Sequence, residues 1–118
     1  MDELTILQAE VLRTLASPRR LAILHRLADG PCGVGQLADE LHLSQPNVSQ
    51  HLGVLRASGL VEADRDGREI RYCLADPEVM TACEIMRGVL ERRLIRLASL
   101  SATARPADAL VSRGTTHG

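Results

Sequence analysis

The sequence has no lysine, no tryptophan and no phenylalanine, and Tyr72 is its only aromatic residue. Recognition of single-stranded nucleic acid relies on several aromatic rings as stacking platforms, so that class of partner is excluded while double-stranded DNA stays open. The apolar content of 45% is almost wholly Leu, Ile, Val and Ala, which suits packed helices. All 14 basic residues are arginine. Each can make planar, bidentate contacts with phosphate or guanine, although biased codon usage produces the same composition. No apolar run approaches the roughly 20 residues that span a bilayer, and the start carries Asp2 and Glu3 where a secretory segment would be basic. The expectation is a cytoplasmic protein with no membrane partner. The cysteines number three, an odd count that argues against a disulfide framework and leaves them as packing residues or sensors. A chain of 118 residues holds one compact domain. We expect it over 1–100, with a flexible C-terminal tail over 101–118 where small and polar residues dominate.

Within that domain, Leu4, Leu7, Val11 and Leu15 share one helix face. Ser17 before Pro18 is a cap followed by a helix-opening proline; Leu21, Leu24 and Leu27 follow, and Asp29-Gly30-Pro31 closes the segment. Val34, Leu37, Ala38 and Leu41 predict a third helix ending near His42. Ser44 caps a fourth, in which Pro46 is tolerated in the first turn and Val48, Leu52 and Leu55 face inward until Gly59. The period then changes. Ile70, Tyr72 and Leu74 alternate with Glu69, Arg71 and Cys73 as in a half-buried strand, with Leu60 to Ala63 as partner and Asp66-Gly67 as a tight turn. Asp76-Pro77 opens a last helix with an apolar stripe from Val79 to Leu97. At about 1.5 Å per residue it reaches roughly 35 Å, longer than this domain needs to cover itself, so its outer part is expected to pack on a second copy. The fold class is mainly α with a small β-hairpin wing.

Two short helices joined tightly at His42-Leu43-Ser44, then a hairpin, make a winged helix-turn-helix. The second helix presents Gln45, Asn47, Ser49, Gln50 and His51 after the Ser44 cap, and no acidic residue stands between Ser44 and Ala57. Amides can pair bidentately with adenine edges in the major groove, at about 1–3 kcal/mol of discrimination each, whereas a merely solvated helix would mix in Glu. Arg56 at the end of that helix, with Arg65, Arg68 and Arg71 around the wing, would meet phosphates and position the protein. Asp64, Asp66 and Glu69 keep the wing locally neutral, which singles out Arg68 beside the turn.

From about Leu15 to Leu97 the chain resembles the ArsR/SmtB family. The resemblance is carried by Ser17-Pro18-Arg19-Arg20-Leu21, by Ser44-Gln45-Pro46-Asn47-Val48-Ser49-Gln50-His51-Leu52, and by Asp66-Gly67-Arg68 running to Tyr72. It implies a repressor that dimerises through its first and last helices. Its recognition helices would enter successive major grooves, about 34–36 Å apart, on an imperfect palindrome, until an inducer releases it. The family's metalloid site, Cys-x-Cys-x-x-Cys on the third helix, is missing, since Gly33, Gly35 and Ala38 occupy the matching positions. Its final-helix metal site maps to Asp76, Glu78, Gly88 and Glu91; carboxylates there favour hard ions over zinc, and Asp76 is equally explained as a helix cap. Cys32, Cys73 and Cys83 remain as candidate sensor thiols, through oxidation, persulfide or a soft metal or metalloid ion. Packing also explains them: Cys32 as a small residue at a helix start, Cys83 as a buried hydrophobe.

The alternatives are a winged-helix repressor without a small-molecule ligand and a winged-helix protein-interaction module, which would show an apolar or charged face in place of Gln, Asn and Ser. An enzyme is not expected, since no Gly-rich loop or assembled triad is present and the chain is too short for an ordinary substrate pocket.

Overall fold

The computed structural model describes residues 1–104. They fall into two units, residues 1–77 and the segment from Glu78. The first unit contains α1 (Glu3–Leu15), α2 (Pro18–Leu27), β1 (Cys32–Gly33), α3 (Val34–Leu41), α4 (Gln45–Ala57), β2 (Val61–Asp66) and β3 (Glu69–Leu74), and the second contains α5 (Glu78–Ala104). Among the described residues no helix is long and apolar enough to cross a membrane.

Short polar side chains set the starts of α1, α2 and α4 by accepting N–H groups that have no partner within the helix. Asp2 Oδ1 accepts from Thr5 N at 2.7 Å, Ser17 Oγ from Arg20 N at 3.3 Å, and Ser44 Oγ from Asn47 N at 3.2 Å. The turn between α3 and α4 depends on His42, which takes a left-handed conformation (φ 57°, ψ 44°). The next N–H, of Leu43, returns to the Ala38 carbonyl at 3.0 Å and closes α3. Ile23, Leu24 and Leu27 of α2, Leu37 and Ala38 of α3, and Val48, Leu52 and Leu55 of α4 are buried together with Cys32, Leu60 and Val61. Each fully buried aliphatic of this kind contributes about 1.5–3 kcal/mol.

The sheet differs from the expected hairpin in three ways. It has three antiparallel strands in the order β1-β3-β2, because Cys32 and Gly33 pair with Tyr72 and Arg71. Cys32 is therefore a buried strand residue and not a helix start. β2 runs on to Asp66, which faces Glu69, so the two-residue loop is Gly67-Arg68 and not Asp66-Gly67. Of these loop residues only Gly67 has positive φ (67°), the type II′ pattern with glycine first. The expected alternation also fails toward the tip of β3. Tyr72 and Leu74 are half-buried but Ile70 is 42% exposed.

α5 begins one residue after Pro77 and runs 27 residues, roughly 40 Å. It continues through Ser101–Ala104, where the tail was expected to begin; the rest of that tail lies outside the described residues. Along it Ile85, Met86, Val89, Leu90, Leu94, Ile95, Leu97 and Leu100 are exposed. In α1 no residue is buried, and Leu4, Ile6, Leu7 and Leu12 are exposed.

Candidate nucleic-acid interface

α4 has two faces with opposite character. Val48, Leu52 and Leu55 are fully buried, while Gln45, Pro46, Ser49, Gln50, Gly53, Arg56 and Ala57 form a continuous exposed stripe. Gln45, Ser49, Gln50 and Arg56 thus stand where the sequence put them, offering amide, hydroxyl and guanidinium groups to solvent. Gly53 lies mid-stripe, and a Cβ added there would meet nothing within 4 Å among the described residues.

Two expected readers sit differently. Asn47 is half-buried, and its Oδ1 is buried without a hydrogen-bond partner among the described residues. Bidentate pairing with adenine needs both the amide oxygen and the NH2 group, so in this conformation Asn47 can offer DNA only its NH2. His51 is half-buried at the edge of the stripe, and its Nδ1 accepts from Arg20 Nε at 3.3 Å. Burial, followed by the positive charges of Arg20 and Arg19, holds its pKa below the ordinary histidine value. Arg20 also donates from Nη1 to the Thr14 carbonyl at 3.1 Å, and the Thr14 and Ser58 hydroxyls lie 3.1 Å apart. The end of α1 is thereby tied to both the middle and the C-cap of α4. The sequence displayed the Arg19-Arg20 pair, but a partner 31 positions away leaves no local pattern.

On the wing, Arg65 and Arg68 are exposed. Register puts Arg65 on the face of Ala63, Ile70 and Tyr72, and Glu62, Asp64 and Asp66 on the other with Glu69, Arg71 and Cys73. Arg68 stands in the turn beyond both. Arg71 is committed to the scaffold, since its Nη2 donates to the Pro31 carbonyl at 3.2 Å.

Cys32 and Cys73, the sensor thiols of the first unit, are not gathered into one site. All three thiols are free. Cys32 is opposite Tyr72, hence on the opposite face from Cys73, which is opposite Glu62. These two thiols cannot meet within the sheet. Cys32 is fully buried, and desolvation pushes its pKa up against the lowering influence of Arg26 and Arg71. Cys73 and Cys83 are half-buried. Among the described residues no three His, Cys, Asp or Glu side chains converge to hold an ion. Glu78 and Glu91 are 13 residues apart on one helix, about 20 Å of rise, and Glu91 lies 3.8 Å from Arg87. One chain alone therefore does not fit a metal at Asp76, Glu78 and Glu91.

Comparison with known proteins agrees with this geometry. The family model for the arsR family of bacterial regulatory proteins matches residues 17–63. Over 67 residues the chain is 51% identical to the HTH-type transcriptional repressor SmtB of Mycobacterium tuberculosis, covering 57% of this chain and 50% of that one, so it spans half the length of this relative. Over 83 residues it is 48% identical to the regulator CmtR of the same organism, covering 70% of each. The solution structure of CmtR, described as a cadmium metal-sensor, superposes with a TM-score of 0.57 at 49% identity, over 64% of this chain and 79% of that one. The homodimeric winged helix-turn-helix domain of Mb0332 from Mycobacterium bovis superposes with a TM-score of 0.71 at 33% identity, over 77% of this chain and 84% of that one.

Proposed function

The chain belongs to the ArsR family of bacterial regulatory proteins, and from that premise we propose that it is a cytoplasmic repressor of transcription that binds an imperfectly palindromic operator as a homodimer. The observation that carries this reading is the exposed stripe of α4: Gln45, Ser49, Gln50 and Arg56 with no acid among them, backed by a fully apolar inner face. Amide groups on a rigid helix can read base edges in the major groove, and Arg56, Arg65 and Arg68 supply the phosphate contacts that set its register. The exposed apolar side chains of α1 and of α5 are the surfaces that a second copy covers.

Release follows from an inducer that alters how the two copies are held. For a soft metal ion or a thiol-reactive species, Cys73 and Cys83 are the accessible thiols and Cys32 is closed off. A hard ion would need Glu91 of a second copy beside Asp76 and Glu78. The test is fluorescence anisotropy of the protein on DNA from its own promoter, with Gln45→Ala/Gln50→Ala as the variant. Loss of binding by about 10-fold or more in the folded variant is expected; unchanged affinity would refute the α4 interface.

A further inference from the structure

We propose that Arg20 is a positioning residue of the DNA interface, holding the neutral His51 ring with its proton on Nε2 so that this N–H donates to a phosphate oxygen of the DNA. The proposal rests on the DNA-binding reading of α4. Arginine has five N–H donors and no acceptor. An Arg20 Nε that donates to His51 Nδ1 at 3.3 Å therefore requires a lone pair on Nδ1. The remaining ring proton must sit on Nε2, and a protonated ring would set two donors and two positive charges against each other. Burial and the charges of Arg20 and Arg19, which lower the pKa of this ring, act in the same sense.

The bond also fixes direction. Arg20 is half-buried at the start of α2, anchored by Nη1 to the Thr14 carbonyl at the end of α1, so one planar group links α1, α2 and α4 and leaves His51 little freedom to turn. His51 stands at the edge of the exposed stripe and close to Arg19, which is exposed. A donor on the flank of a recognition helix beside an exposed guanidinium suits the DNA backbone better than a base edge, which the central Gln45, Ser49 and Gln50 are placed to reach.

Two measurements test this. In the free protein, long-range 1H–15N correlation of the His51 ring should show the Nε2–H tautomer at neutral pH, with a titration midpoint below that of an ordinary histidine. Arg20→Met, which keeps the aliphatic stem and removes the donors, should mix the tautomers and raise the midpoint. On DNA, Arg20→Met and His51→Ala should each weaken binding about three- to tenfold, the scale of one hydrogen bond, on promoter and unrelated DNA alike. His51→Gln should restore most of the loss, since its carbonyl can accept from Arg20 while its NH2 donates outward. An Nδ1–H tautomer in the wild type overturns the proposal. So does a folded Arg20→Met protein with unchanged titration and affinity, or a loss confined to promoter sequence. If the wild type fails to bind its promoter DNA at all, the α4 reading falls and the proposal with it, a result distinct from wild-type binding that ignores Arg20.

Discussion

Two substitutions on opposite faces of α4 should fail in opposite ways. Leu52 is fully buried, flanked on the same inner face by Val48 and Leu55. Leu52→Ala removes three carbons from a packed site, and such truncations cost about 2–5 kcal/mol because the surroundings close the cavity only in part. Against a typical domain stability of about 5–15 kcal/mol that is a large share. At about 4–8 °C per kcal/mol for a domain of this size, the Tm should fall by roughly 10 °C or more. Gln50 is exposed on the outer stripe, where substitutions usually stay within about 0.5 kcal/mol. Gln50→Ala should leave the urea midpoint in place but weaken promoter binding by about 1–3 kcal/mol, roughly 5- to 150-fold. Circular dichroism in urea and anisotropy on the same preparations separate the two quantities. A Gln50→Ala protein destabilised as much as Leu52→Ala, or a Leu52→Ala protein of unchanged stability, would refute the assignment of the two faces.

Gly53→Ala should stabilise the protein by about 0.5–1 kcal/mol, since glycine is costly inside a helix and the new methyl meets nothing within 4 Å among the described residues; the same methyl should weaken DNA binding where the backbone of the duplex lies against the stripe, and tighter binding would argue that the duplex stays clear of it. Arg56→Ala and Arg68→Ala should lower affinity similarly on promoter and unrelated DNA, and each lost phosphate contact should reduce the slope of log K against log salt by about 0.9 in magnitude; a slope that does not move places those arginines away from the phosphates. Brief alkylation of the native protein, read by peptide mass spectrometry, should label Cys73 and Cys83 and spare Cys32, whose thiol is buried and pushed toward the protonated form. Early labelling of Cys32 would contradict that burial.

What the sequence made legible was whatever is encoded locally. Ser17 and Ser44 mark helix starts because a hydroxyl three positions before an N–H is a self-contained device, and the inner face of α4 is visible because its period belongs to one helix. What escaped is non-local. β1 has two residues, too few for a period, and exists only through pairing with β3 some 40 positions later. Ile70 continues the alternation of its strand but lies near the hairpin tip, beyond the reach of the core. The tie between His51 and Arg20 likewise depends on a segment 31 positions away, so the exposed polar face of α4 could be located from the sequence but the setting of each of its members could not.

The helix α1, with no buried residue, and the apolar side chains exposed along α5 link folding to abundance. If a second copy is what covers these surfaces, stability includes a mass-action contribution and the melting temperature climbs with protein concentration. Such a regulator reports on its own supply: diluted by growth or thinned by proteolysis, its dimers come apart and the operator empties with no inducer present. The threshold for that silent release is set by how much oil the two helices hide, and so can be moved by trimming Leu90 or Leu94 without touching a single residue that meets DNA.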